Sequence, residues 1–161
     1  MLTDALFLLT VLAVLGAGLI AGVFFAFSAI VMPALARLPP ARGIAAMQAI
    51  NVVVLNPWFL GAFFGTAVAC LPLALSSVLN WTEPGAGFRL AGSMLYLVGT
   101  IMVTIAFNVP RNDALAAVAA NSASGADVWA RYVPGWTAWN SVRTVAALTA
   151  AALLTASLFV R

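Results

Sequence analysis

The chain has 161 residues, one domain by length, with 65% hydrophobic and 7% charged residues and a net charge of +3. A typical water-soluble domain is about 25% charged, so an ordinary globular fold is excluded. The positive charge is Arg alone, placed singly along the chain with no Lys and no His, which excludes a basic nucleic-acid-binding surface. With one cysteine, Cys70, it also excludes an intramolecular disulfide, a zinc or iron–sulfur site and a His-ligated haem.

Taken in chain order, four segments have the roughly 20 apolar residues that a bilayer-spanning helix needs. Residues 5–36 carry no charge. As a helix they would run roughly 48 Å, more than the hydrocarbon core requires, so the segment is expected to tilt, bend at Pro33 or project from the membrane. A cleaved leader is the competing reading, since Ala34-Leu35-Ala36 resembles a cleavage site. The apolar stretch is about twice the 7–15 residues of a leader, however, and no basic residue precedes it.

In the first connection, Pro39-Pro40 breaks the chain and residues 42–55 read as a helix. Ile44, Met47, Ile50 and Val54 fall on one face and Gln48 and Asn51 on another, which predicts a helix at the interface or folded against the spans. Asn56 as N-cap and Pro57 at the first helical position open the second span, residues 58–79. A short loop over residues 80–87 leads to the third span, residues 88–107, which Asn108-Val109-Pro110 is expected to end or kink. A short helix is expected over residues 112–120. Ser124-x-x-Asp127 then reads as a capping box for another, ending before Pro134-Gly135, and gives Asp127 a structural role. The fourth span covers residues 139–160. The expected architecture is all-α: an integral membrane bundle of four transmembrane helices, with short extra helices in the first and third connections.

Four spans place both termini on one side. The first and third connections with their flanks carry Arg37, Arg42, Arg111, Arg131 and Arg143, against Arg89 and Arg161 opposite. The positive-inside rule assigns the five-Arg side to the cytoplasm and both termini to the outside, as in a bacterial inner membrane. Small residues collect where membrane helices meet. Gly18, Gly22 and Ala26, then Gly61, Gly65 and Ala69, and on the fourth span Ala146, Ala147, Ala150 and Ala151 are therefore expected at contacts within the bundle; homo-oligomer contacts are the competing use.

Arg143 lies about one turn inside the fourth span, where an Arg costs a few kcal/mol and usually faces the bundle interior or a water-filled cavity. Trp136, Trp139, Asn140 and Arg143 recur at three- and four-residue spacings. Asn108, Asn112, Asn56, Asn51, Gln48 and Trp58 fall at a similar depth. A polar, aromatic site at the cytoplasmic mouth is expected from this convergence. The competing reading has Arg143 snorkelling to headgroups or pairing with Asp113, the Trp residues forming an interfacial belt and the Asn residues capping helices. The four acids, Asp4, Glu83, Asp113 and Asp127, are far apart in sequence, so no metal or other cofactor is expected.

Four runs carry a family resemblance: AGVFFAFSAIVMPAL at 21–35, LNPWFLGAFFGT at 55–66, FNVPRNDAL at 107–115 and WTAWNSVRT at 136–144. They resemble the anthrone oxygenase-like family of small membrane proteins over nearly the whole chain. The resemblance implies oxidation, without cofactor, of a planar lipophilic anthrone-like substrate to a quinone. Arg143, Asn140 and Asn108 would then stabilise the substrate oxyanion and Asp113 would be the base, with Trp136, Trp139, Asn112, Asn56, Asn51 and Trp58 lining the substrate. Members often carry His directly after the Trp-Asn pair; here that residue is Ser141, so a His base is not implied. The alternative is a non-catalytic membrane module that binds or helps transport a lipophilic small molecule, or an accessory subunit of a larger membrane complex. Membrane lipid is the partner expected in each case.

Overall fold

The computed structural model describes residues 2–160, and all of its regular structure is helical. The side assigned to Arg161 lies outside the described residues. Helix α1 comprises Leu2–Ala26, a wider π-helical stretch Phe27–Val31 and Met32–Leu35. Helix α2 is Pro40–Val53, and α3 is Pro57–Leu79. Helix α4 runs through Ala86–Met94, π-helical Leu95–Met102 and Thr104–Asn108, and Val109–Ala116. Helix α5 is Ala123–Ser157. The four long helices form a ring in which α1 touches α3 and α5, and α4 touches α3 and α5.

Three of these helices are long and apolar enough to cross a membrane: Asp4–Leu35, Pro57–Leu79 and Ala86–Ala116. The fourth, α5, does not reach that standard, because Asn140, Ser141, Arg143 and Thr144 dilute its apolar half.

Prolines shape the helices without ending them. A proline has no N–H and crowds the carbonyl four residues back. In α1 the turn before Pro33 widens, and Met32 donates to the Phe27 carbonyl five residues back. Pro110 has the same solution, with Val109 donating to the Thr104 carbonyl. The third helix therefore continues past Asn108-Val109-Pro110 to Ala116, and neither ends there nor gives way to the separate short helix expected over residues 112–120. Pro134 likewise lies inside α5 on an exposed face, so the expected break before Pro134-Gly135 is absent. The cap of α5 is Ser122, whose hydroxyl accepts from the Gly125 amide at 3.0 Å. Ser124 is not the cap, and Asp127 is exposed.

Helix α2 matches its predicted position within two residues at each end. It buries Ile44 and Met47 with Met32, Leu115, Trp129, Tyr132 and Trp136. Gly43 permits the approach, since a Cβ there would stand 2.7 Å from the Trp129 ring. Gln48 turns towards the end of α4, donating to the carbonyls of Leu115 and Val118 at 2.9 and 3.0 Å. At the opposite end of the ring, Gly85 has φ of +77° and caps α4, and Arg89 pairs with Glu83 at 3.2 Å.

The small residues are used differently from the expectation. Ala13, Ala17 and Ala21 of α1 meet Ala147, Ala150 and Ala151 of α5 in the buried core. Ala69 is buried as expected, but Gly18, Gly22, Gly61 and Gly65 are exposed, with open space where a Cβ would be. Close approaches occur instead at Gly16 of α1, against Thr66 of α3, and at Gly92 and Gly99 of α4, against Leu154, Ala150 and Ala146 of α5. Gly92→Ala is expected to destabilise the protein by about 1–3 kcal/mol, because its Cβ would press on the Ala150 backbone carbonyl. Gly18→Ala, with open space at its Cβ, should instead leave stability unchanged or raise it by up to about 1 kcal/mol. Thermal unfolding of both variants in detergent measures the contrast.

Candidate functional site

The inward face of α5 carries the chemistry. Trp129, Tyr132, Trp136, Asn140 and Arg143 are all buried at three- and four-residue steps, the spacing that stacks side chains on one side of a helix. An alanine-rich surface follows from Ala146 to Leu154. This helix thus presents aromatic rings first, then a carboxamide and a guanidinium, then close apolar contact.

Arg143 is 5% exposed. Its Nη2 donates to Asn140 Oδ1 at 2.7 Å and its Nη1 to Thr104 Oγ1 at 3.0 Å. The guanidinium carbon lies 4.0 Å from the Phe24 ring centre and 5.4 Å from that of Trp136, a cation held between aromatic faces. Asn140, fully buried, uses its other end on α1, donating through Nδ2 to the Phe24 carbonyl and to Ser28 Oγ, both at 2.7 Å. Ser28 in turn meets Ser141 Oγ at 3.0 Å. The network joins α1, α4 and α5.

Asn108 stands one turn from Thr104 on α4 and donates to the Trp136 carbonyl at 3.2 Å. Nearer the end of the ring, Asn112 Oδ1 accepts from the Trp136 indole at 2.8 Å and from the Tyr132 hydroxyl at 2.9 Å. Asn51 of α2 stands beside that hydroxyl. Tyr132 precedes the apolar half of α5; burial pushes its phenol well above the ordinary value, and it stays a donor.

Among the described residues no carboxylate lies within ion-pair distance of Arg143. Asp113 is exposed near the end of α4 and does not join the network. The expected Arg143–Asp113 pair is therefore absent, and the assignment of Asp113 as base has no support from its position. Several buried polar atoms have no partner: Arg143 Nε, Asn108 Oδ1, Thr137 Oγ1 and Thr100 Oγ1. An uncompensated buried polar group costs about 1–3 kcal/mol. A positive charge with a free donor, enclosed by rings and amides, suits a flat ligand that bears or develops negative charge.

Of the residues expected at the mouth, Arg143, Asn140, Asn108, Asn112, Asn51 and Trp136 converge. Trp139 lies off the inward face and stacks on Phe107, with ring centres 3.5 Å apart. Asn56 accepts from the amides of Trp58 and Phe59 as the N-cap of α3. Trp58 is 90% exposed, so its assignment to the substrate site is not supported by its placement. Sequence reasoning missed Phe24, Ser28, Thr104 and Tyr132. A signal for Thr104 exists: Tyr96, Thr100, Thr104, Asn108 and Asn112 form a polar row at every fourth residue of α4. No comparable signal marks Ser28 within its apolar helix.

A family model described as "Anthrone oxygenase" matches residues 56–153, which span α3, α4 and α5 up to the last turns. No curated protein and no solved structure matches the chain.

Asn140→Leu should cost about 3–5 kcal/mol of stability, because it strips Arg143 of its shortest bond inside the ring. Asp113→Asn, at an exposed position, should change stability by less than about 0.5 kcal/mol. Parallel unfolding curves would measure both.

Proposed function

The chain belongs to the anthrone oxygenase family, and on that premise we propose that it oxidises a planar, lipophilic anthrone-like substrate to the quinone, with Arg143 stabilising the substrate oxyanion. One observation carries the reading: a buried guanidinium with no carboxylate in ion-pair distance among the described residues, lying over the Phe24 and Trp136 rings and retaining an unpartnered Nε. Such a group would favour the deprotonated substrate, whose charge rests largely on its carbonyl oxygen, over the neutral one. The aromatic walls suit a flat apolar ring system.

The reaction balances without a base at Asp113. The substrate methylene loses a proton to water. The resulting carbanion–enolate gives electrons to molecular oxygen, and a carbon–oxygen bond forms. The peroxide takes up a proton, its O–O bond breaks, and the remaining hydrogen on that carbon leaves in the water released. One oxygen atom ends in the quinone and the other in water. Arg143 would hold the enolate oxygen through its unpartnered Nε, Asn140 would fix the guanidinium in place, and Asn108, with its unpartnered Oδ1, would accept from a hydroxyl at the edge of the ring system.

The same reading makes the protein a four-span membrane protein. Helix α5 would be the fourth span, its polar inward face tolerated because α1 and α4 surround it. Arg37, Arg42, Arg111 and Arg131 would face the cytoplasm, in a bacterial inner membrane.

The test is anthrone oxidation by purified protein in detergent under oxygen, followed as quinone absorbance and corrected for the spontaneous rate. Arg143→Ala should lower the initial rate roughly 10²–10³-fold, the usual cost of removing one oxyanion donor. Asp113→Asn should retain the rate within about twofold, as expected for a group outside the reaction. Circular dichroism of each variant separates lost chemistry from lost fold. Equal rates for wild type, Arg143→Ala and buffer would sink the mechanism and leave the binding-module alternative.

A further inference from the structure

A second polar feature lies beside the candidate site and shares Tyr132 with it. The end of α4 and the first half of α5 enclose a groove of about 330 Å³, lined by Arg111, Ala114, Val128, Arg131, Tyr132 and Gly135. Two of its six lining residues are cations and none is an acid.

Arg111 is held in place. Its Nη1 donates to the Phe107 carbonyl at 2.7 Å, and its guanidinium lies across Gly135, where a Cβ would stand 3.1 Å from Nε. The glycine is what lets this side chain lie flat against α5. Arg131, one turn away on α5, is exposed. Among the described residues neither Arg pairs with a carboxylate. Asp113 and Asp127 are exposed on the same helices but do not line the groove.

The remaining wall is apolar, formed by Ala114, Val128 and the Tyr132 ring. One turn further into the ring, four residues before Arg111 and four after Gly135, Phe107 stacks on Trp139. The exposed apolar side chains Ile105 and Val142 continue in that direction. A paired-cation head above an aromatic and aliphatic floor has the shape and polarity of one phospholipid molecule. Arginine suits the head, since its planar fork can donate two bonds to a phosphate.

We propose that this groove binds an anionic phospholipid, with Arg111 and Arg131 donating to its phosphodiester and an acyl chain covering the Phe107–Trp139 stack. The inference rests on the membrane reading above and is independent of the oxidation. It identifies a defined site with a charge preference, where an ordinary lipid annulus would discriminate little.

The experiment uses full-length protein, inserted in liposomes and then purified in mild detergent. Flotation with the liposomes tests membrane insertion itself, and failure there would overturn the membrane reading along with this one. Native mass spectrometry then compares phosphatidylglycerol with phosphatidylcholine of identical chains. Wild type should retain one phosphatidylglycerol at least tenfold more tightly than phosphatidylcholine. Arg131→Gln, at an exposed position that carries no packing, should reduce that preference about tenfold, the worth of one charge-assisted hydrogen bond. Gly135→Leu, which displaces Arg111, should do the same. Equal retention of the two lipids by inserted wild-type protein, or an undiminished preference in Arg131→Gln, would overturn the proposal. Displacement of the lipid by millimolar inorganic phosphate would also overturn it, by assigning the groove to a free anion.

Discussion

The carboxamide of Asn140 holds the centre of this protein together. It is the one side chain that bonds outward to α1 through its nitrogen and inward to Arg143 through its oxygen. A guanidinium can be kept in so apolar a setting only if its hydrogens find acceptors and its charge finds polarisable surroundings. Asn140 and Thr104 supply acceptors, and the Phe24 and Trp136 rings supply the surroundings. These groups come from three helices, Phe24 from α1, Thr104 from α4, and Asn140 and Trp136 from α5. Burying one charge thereby sets the rotation of three helices relative to one another, which the non-directional packing of alanines and leucines above it would leave loosely defined.

This arrangement explains how α5 divides its work. Its aromatic third packs against α2 and the ends of α1 and α4. Its alanine third lies so close to α4 that only glycine fits at Gly92 and Gly99. Between them sit Asn140 and Arg143, where the inward face passes from aromatic rings to close apolar contact.

Much of this was legible in the residues. The helix of the first connection, the Asn56 cap and the shared face of Asn140 and Arg143 all follow from spacing and polarity. The reading stopped where sequence carries no periodic contrast. Helix α1 is apolar on every side, so nothing distinguishes the row with Ala13, Ala17 and Ala21 from the row with Gly18 and Gly22, and the outward row looked the better packed. Ser28 and Phe24 are hidden in the same uniformity. The prolines misled for another reason. Pro33, Pro110 and Pro134 would each weaken a helix in water, but a helix in an apolar medium cannot leave its carbonyls bare. Widening the turn, at Phe27–Val31 and Thr104–Asn108, re-pairs the backbone at lower cost than breaking it. Asp113 looked like a partner for Arg143 by depth alone, which says nothing about the face it occupies.

The wide turns of α4 also set a length. In an ordinary α-helix a row repeating every four residues drifts about 40° per step, so Tyr96, Thr100, Thr104, Asn108 and Asn112 would spiral out of the interior. Turns that hold more residues cancel that drift, and Tyr96, Thr100 and Asn108 all remain buried. A wide turn is in effect one residue more than the same path needs as a plain helix. Shortening α4 by a single residue between Thr100 and Asn108 would relax it to ordinary winding with the later side chains roughly where they are, whereas a deletion from its ordinary α-helical turns would swing every later side chain round by about 100°. The wide turns are therefore the places within α4 where the chain can lose a residue and keep its later side chains in register, at the expense of the turn that re-pairs the backbone before Pro110.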